Sequence, residues 1–156
     1  MIKVICIGKI KDKDVNGIIS DYLKRIQVFH KCEIEELKDY PNHETSSLNQ
    51  LVIKQESDAI IQRLSQDDYV ILLDLKGQYL SSEDISLQLE TAFNQSYKNI
   101  CFIIGGSLGV NDELRERANL IWKLSNNTFP HQLVRVLVLE QIYRGFKIIH
   151  HQTYHK

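Results

Sequence analysis

The chain has 156 residues and a formal net charge of −1, with 43% hydrophobic and 25% charged residues. This balance is typical of globular proteins and excludes disordered and fibrous classes, and the length suits one domain with a sizeable buried core. The small net charge argues against nucleic-acid binding driven by bulk electrostatics.

Apolar periodicity predicts alternating strands and helices in the first half of the chain. Apolar runs indicate buried strands, helical spacing of apolar residues indicates helices, and polar–apolar alternation indicates a strand with one wetter face. In chain order we predict a strand at 3–8, a helix at 18–29, a strand near the sheet edge at 32–37, the longest loop at 39–47, and a helix, polar in its middle, from 48 to about 65.

The second half continues this alternation, which favours an α/β fold with a mostly parallel sheet covered by helices on both faces. The predictions are a central strand at 69–75, a turn at 76–78, a helix beginning at 81–84, a strand buried on both faces at 100–104, a short helix opened by 111–113, a fifth strand or helix continuation at 120–124, and a last helix within 133–149.

A glycine-rich loop after the fourth predicted strand is the main candidate site. Gly105, Gly106 and Gly109 lie within five positions, and glycine lets a ligand approach the backbone closely. A tight strand-to-helix turn is the alternative, because such turns are also rich in glycine. The spacing of the three glycines matches neither common phosphate-binding pattern. Ligands bind beyond the carboxyl ends of parallel strands, so Asp74, this loop and Ser125 predict one pocket built from three loops.

The last helix is apolar around most of its circumference between Leu133 and Ile149. One face can pack on the sheet, and the remainder needs another partner. The simplest partner is the same helix of a second copy, since isologous dimers are the commonest soluble oligomers. A central helix wrapped by its own chain is the alternative.

The chemistry of the chain ends and cysteines predicts a reduced, cytoplasmic protein with no membrane partner. No apolar run approaches the ~18 residues needed to span a bilayer, and no basic segment precedes the first apolar stretch. The three cysteines are far apart along the chain: Cys6, Cys32 and Cys101. The end is basic, and its histidines lack the cysteine or acidic partners of a zinc site, so we expect no metal.

Five short motifs together resemble a known family. They are Gly105-Gly-Ser-Leu-Gly109, Thr128-Phe-Pro-His131, Leu133-Val-Arg135, Glu140-Gln-Ile-Tyr-Arg144 and Tyr154-His-Lys156. With them, the whole chain resembles the bacterial ribosomal large-subunit pseudouridine N3-methyltransferases of the SPOUT superfamily. One departure is Gly145, where the family usually has alanine; since glycine in a helix costs about 0.5–1 kcal/mol relative to alanine, we expect local loosening there without loss of function.

The resemblance implies a single α/β domain at 1–156 with a C-terminal trefoil knot, whose knotted, cofactor-binding part spans roughly 69–156. It also implies a homodimer that uses S-adenosylmethionine to methylate N3 of a pseudouridine in 23S ribosomal RNA, on assembled ribosomes. Transferred by motif, the cofactor-binding residues are Leu73, Gly105, Gly106, Gly109, Ser125, Asn126, Asn127, Thr128, Phe129 and Pro130.

The same motif match implies catalytic roles near the end of the chain. Arg144 is expected to bind phosphate or stabilise an anionic base, and Tyr154 and His155 to stack, orient or remove a proton. His131 and Arg135 either bind the substrate or are structural. Because chain ends usually fray, we expect the partner subunit to order the tail and each active site to be shared.

Two other functions fit parts of the pattern. A nucleotide-binding regulatory module without catalysis would explain the glycine loop, but it would leave Arg144 and the Tyr154-His155 end without a role. A purely structural dimerisation protein would gain no thermal stability from S-adenosylmethionine.

Overall fold

A parallel sheet forms the centre of the fold in the computed structural model, which describes residues 1–155. Within those residues the strands are β1 (Ile2–Ile7), β2 (Cys32–Leu37), β3 (Asp68–Tyr79), β4 (Asn99–Ile104) and β5 (Leu120–Lys123). The helices are α1 (Lys13–Gln27), α2 (Ser46–Ile61), α3 (Ser82–Asn94), α4 (Asp112–Arg117) and α5 (His131–Ile149). The strand order is β2-β1-β4-β3-β5, and every pairing is parallel.

Helices cover both faces of the sheet, as the alternating pattern predicts. Helices α1, α3 and α5 pack on one face, and α2 and α4 pack on the other. Strand β4 lies in the middle, and all six of its residues are buried. Its side chains alternate between the two layers, since Phe102 joins the first cluster and Ile103 the second.

Burial also determines the chemical behaviour of the three cysteines. Cys6, Cys32 and Cys101 are free and buried in the strands. Burial is the main cause that raises the pKa of each thiol to about 12. They therefore behave as small hydrophobic side chains.

The edge strand and the starts of α3 and α4 agree with the sequence patterns, whereas α1 begins at Lys13 and α2 at Ser46, earlier than the predicted 18 and 48. Strand β2 lies at the sheet edge, and the Leu120 segment is a strand instead of a helix continuation. Ser81 caps α3 in a reciprocal capping box with Asp84, and the Asn111 side chain caps α4. Helix α2 ends at Ile61, earlier than predicted, and α5 begins two residues earlier, at His131.

The predicted turn at 76–78 is wrong, because β3 continues through it to Tyr79. The pairing with β5 shifts register between Leu73 and Gln78, so that both oppose Trp122. The residues between them form an irregularity inside the strand instead of ending it. Gly77 passes so close to β5 that a Cβ atom there would lie 2.5 Å from the carbonyl oxygen of Ile121.

Helix α5 is continuous through Gly145. The expected local loosening there stays a prediction. The glycine lies where α5 crosses α3, and an added Cβ would meet the Leu89 Cδ1 atom at 2.9 Å.

On the outer side of α5, Leu133 and Leu137 remain 47% and 37% exposed. Within residues 1–155, no helix combines the length and apolar character that crossing a bilayer requires.

Candidate functional site

A cavity of about 430 Å³ lies beyond the carboxyl ends of β4 and β5 and beside the irregular part of β3, residues 73–76. Two of the three predicted loops help to form it, while the third predicted loop, after Asp74, is part of β3. Its volume falls in the range of roughly 300–1,000 Å³ typical of ligand pockets. Most of the predicted cofactor residues line it: Leu73, Gly105, Gly106, Gly109, Ser125, Asn127, Thr128 and Phe129. Asn126 and Pro130 belong to the same segment but do not line the cavity.

The glycine loop is a tight turn that only glycine can form at two positions. The backbone N–H of Gly109 donates to the carbonyl of Gly106 over 3.0 Å, and Gly109 has φ of +86°. At Gly105 a Cβ atom would lie 2.6 Å from Val110 Cγ1. Gly105, Gly106 and Gly109 all line the cavity, so the part of its wall that they form carries no side chains.

Charged groups form one wall of the cavity. Arg115 Nε donates to Asp74 Oδ2 over 3.0 Å, and its NH1 donates to Asp112 over 2.8 Å. The other carboxylate oxygen of Asp74 accepts the backbone N–H of Lys76 over 2.7 Å. Sequence reasoning missed Arg115, because the charged residues of a short helix usually face solvent. Its position in the helix that follows the glycine loop was the signal that could have placed it at the cavity.

His131 and Arg135 are one turn apart on α5, but only His131 lines the cavity. Burial, and then the nearby charge of Arg135, lower the pKa of His131. The ring is therefore neutral at pH 7, where it can donate and accept one hydrogen bond each.

Arg135 is 2% exposed and lies in the core. Its guanidinium donates to Glu36 over 2.6 Å and to the carbonyls of Ile7 and Gly8 over 2.9 and 2.8 Å. It thereby ties α5 to the end of β1 and to β2. Of the two alternatives left open by the sequence, this geometry favours the structural role.

The structure brings the three predicted catalytic residues together in one cluster, in which Tyr154 and His155 of the tail meet Arg144 of α5. The Arg144 guanidinium lies over the Tyr154 ring at 4.6 Å, and its NH1 lies 3.5 Å from His155 Nδ1. Glu140 accepts hydrogen bonds from Arg144 and from the Tyr154 hydroxyl. His155 Nε2 reaches Glu83 at the start of α3 over 2.7 Å.

The tail cluster makes these contacts within one chain. The expectation that a partner subunit orders it stays a prediction. None of Arg144, Tyr154 and His155 lines the cavity of the same chain. Burial first, and then Tyr22 and Glu140, raise the pKa of Tyr154 to about 12. Its hydroxyl is therefore protonated at neutral pH and acts as a hydrogen-bond donor. Lys156 lies outside the described residues.

Comparison with known proteins assigns the family. The sequence profile of a family described as "Predicted SPOUT methyltransferase" matches residues 1–155. The chain belongs to the SPOUT methyltransferase family. It is 44% identical to the ribosomal RNA large subunit methyltransferase H of Desulforamulus reducens, with 99% of this chain and 98% of that protein covered. It is 41% identical to the protein of the same name from Ureaplasma urealyticum serovar 10, with 100% and 99% covered.

A solved structure supports the fold alone. A probable methylase family protein from Haemophilus influenzae Rd KW20 superposes with a TM-score of 0.52 at 13% identity, covering 96% of this chain and 66% of that one. Together with the matches above, this makes the chain a methyltransferase with the α/β architecture of SPOUT methylases.

A SPOUT methyltransferase requires a methyl donor, and the cavity fits one. Its lining combines the apolar side chains of Leu73 and Phe129 with the exposed backbone of the glycine turn. Apolar walls suit a flat ring, and backbone N–H and C=O groups supply directional hydrogen bonds. Within residues 1–155 no cluster of three or more histidine, cysteine or acidic side chains could hold a metal ion.

Proposed function

We propose that this protein is an S-adenosylmethionine-dependent methyltransferase that methylates N3 of a pseudouridine in large-subunit (23S) ribosomal RNA. It acts in the cytoplasm, on assembled ribosomes and as a homodimer. The main support for this function is the glycine-lined cavity at the strand ends, in a chain whose full-length relatives are named ribosomal RNA large subunit methyltransferases. The near-neutral net charge fits a substrate recognised on an assembled surface better than free RNA.

The donor site consists of Leu73, the glycine turn and residues 125–130. When bound, S-adenosylmethionine supplies a methyl group that its sulfonium already activates. The chain's task is then to hold donor and acceptor in line, which is an entropic contribution. The buried sheet beneath the cavity provides the rigid base for that alignment.

The acceptor site is the cluster of Arg144, Tyr154 and His155. Loss of the N3 proton leaves negative charge on the base, and the Arg144 guanidinium can stabilise it. Tyr154, protonated at neutral pH, orients the base as a donor or stacks on it. His155, with one ring nitrogen on Glu83 and the other near Arg144, is the candidate that accepts the proton.

The homodimer accounts for the distance between these two sites in one chain. Leu133 and Leu137 give α5 an apolar outer face that a second α5 can cover. We propose that this pairing brings the tail cluster of one protomer to the cavity of the other.

Within the single domain 1–156, the cofactor-binding part at 69–156 is proposed to form the trefoil knot that the family resemblance implies.

Labelled S-adenosylmethionine tests this function. The protein is incubated with ribosomes that lack the modification, and the methyl group is mapped in 23S RNA. We expect one labelled nucleotide, a pseudouridine methylated at N3, and much less label on free RNA. Label at another atom or in another RNA contradicts the proposal.

Deletion of the last three residues separates the enzyme from a binding module. We expect the shortened protein to keep its affinity for S-adenosylmethionine and to lose turnover. Arg144→Ala should act in the same way, with Arg63→Ala, which removes a surface ion pair with Glu35, as the matched control. A shortened protein with full turnover contradicts the assigned roles.

A further inference from the structure

Helix α2 buries two polar residues directly behind the cavity. Glu56 is 3% exposed and Ser57 is fully buried, although both belong to the polar middle of the helix. A buried carboxylate is unfavourable unless hydrogen bonds compensate for the lost water. Burial, opposed in part by a backbone hydrogen bond from Tyr40 and reinforced by the charge of Asp39, raises the pKa of Glu56. Nothing in the proposed reaction uses this group.

The contacts of Glu56 connect two loops at the cavity. Its Oε1 accepts the backbone N–H of Tyr40, in the loop after β2, over 3.0 Å. Its Oε2 lies against the backbone of Gly106, where an added Cβ atom would overlap the carboxylate. The carboxylate is therefore wedged between the Tyr40 loop and the glycine turn.

Neighbouring contacts hold the middle of the same turn and the residue before α4. The Ser57 hydroxyl accepts the backbone N–H of Asn111 over 3.0 Å, just before α4. The Ser107 hydroxyl donates to the Asn42 side chain over 3.2 Å, which again joins the glycine turn to the loop after β2. One turn of α2 thus supports the glycine loop from below and at its exit.

We propose that Glu56 is a positioning residue of the methyl-donor site, which holds the glycine turn in its binding geometry through Gly106 and the Tyr40 loop. This inference rests on the proposed function. Glu56 does not line the cavity, so it acts through the backbone that the donor contacts. The required features are a side chain of this length and an acceptor for the Tyr40 N–H.

Calorimetric titration with S-adenosylmethionine tests the proposal. Glu56→Ala removes both the wedge and the acceptor, and we expect it to weaken donor binding about tenfold or more, as loss of a buried hydrogen bond does. Glu56→Gln keeps the length and an acceptor oxygen, so it should bind within about threefold of wild type. Glu33→Gln, at an exposed position on β2, is the control.

A second variant keeps the test decisive if Glu56→Ala does not fold. Gly106→Ala places a methyl group against the carboxylate, and we expect it to abolish measurable donor binding. Glu56→Asp shortens the acid, so the double variant should regain part of the affinity that Gly106→Ala loses. Thermal unfolding without donor verifies that each protein is folded.

The outcomes distinguish failure of the positioning role of Glu56 from failure of the proposed methyltransferase function. If wild type binds the donor and folded Glu56→Ala binds it equally well, the positioning role is overturned and the donor site stands. The same holds if Glu56→Asp restores nothing to Gly106→Ala. If wild type itself does not bind S-adenosylmethionine, the proposed function and this inference both fail.

Discussion

Arg135 shows how one buried charge joins α5 to β1 and β2. Its guanidinium bridges the Glu36 carboxylate and two carbonyls at the end of β1, and Glu36 also accepts the backbone N–H of Ile10. The region where β1 ends and α5 begins therefore depends on one cation. Removal of one partner from such a pair leaves the other group without compensation for its lost hydration.

We expect Arg135→Ala to lower the free energy of unfolding by about 3 kcal/mol, in the range for breaking a buried ion pair. Urea denaturation measures the change. Glu36→Gln is the control, and it should cost much less, because the Glu36 side chain is 29% exposed and an amide oxygen can still accept. If Arg135→Ala keeps full stability but loses RNA binding, the substrate-binding role is correct instead.

His131 predicts a pH dependence of stability. Its pKa is lowered in the folded protein, so the unfolded chain binds its proton more readily. This histidine therefore favours folding fully above its unfolded pKa of about 6.5, and the contribution is lost as the pH falls toward the folded value. Thermal unfolding between pH 8 and pH 5, roughly spanning that range, should show a smaller acid loss for His131→Gln than for wild type. An equal acid loss in wild type and His131→Gln would contradict the lowered pKa.

The residues of the site differ in how well their positions could be predicted from the sequence. Gly105 and Gly106 were predictable as cavity-lining residues, because clustered glycines after a buried strand lie where ligands bind in parallel sheets. Glu56 was not, since a glutamate in a helix of mixed polarity normally faces solvent. Its burial depends on the backbone N–H of Tyr40, a partner sixteen residues away that no local pattern reveals.

Among the elements, β3 shows the limit of local turn signals. Lys76-Gly77-Gln78 has the composition of a turn, but tertiary pairing with β5 overrides it. The glycine serves close approach to Ile121 rather than a change of chain direction. The start of α3 was predictable, because the Ser81–Asp84 capping box is entirely local.

The crossing of α3 and α5 predicts the effect of Gly145→Ala. Alanine gains about 0.5–1 kcal/mol of helix stability, and the one close contact is with the end of the flexible Leu89 side chain. We expect a net gain of about 0.5 kcal/mol in the free energy of unfolding, measured by urea denaturation. Gly145→Val, which adds bulk at the same crossing, should be destabilising. A loss with alanine would mean that Leu89 cannot move.

For the whole molecule, the α/β class followed from the sequence, but the strand order did not. Alternating strands and helices fix a parallel sheet covered on two faces. The order β2-β1-β4-β3-β5 depends on pairings between distant segments, such as β1 with β4, that composition does not encode.

The apolar outer face of α5 predicts a dimer that one charge can dissociate. Leu137 is 37% exposed, and across a two-fold axis a glutamate there would place two like charges near each other. We expect Leu137→Glu to be a folded monomer by light scattering and to lose methyl transfer. Leu87→Glu, on the exposed side of α3, is the matched control. A Leu137→Glu protein that remains a dimer excludes this face as the interface.

Mixed dimers test whether each active site takes its two halves from different protomers. One protomer lacks the last three residues, and the other carries Gly105→Val, whose side chain would collide with Val110 in the cavity wall. Each homodimer should be inactive. If sites are shared, the mixed dimer has one intact cavity facing one intact tail, and it should regain about half of the wild-type turnover. If each site is built within one protomer, no combination is intact and the mixed dimer stays inactive.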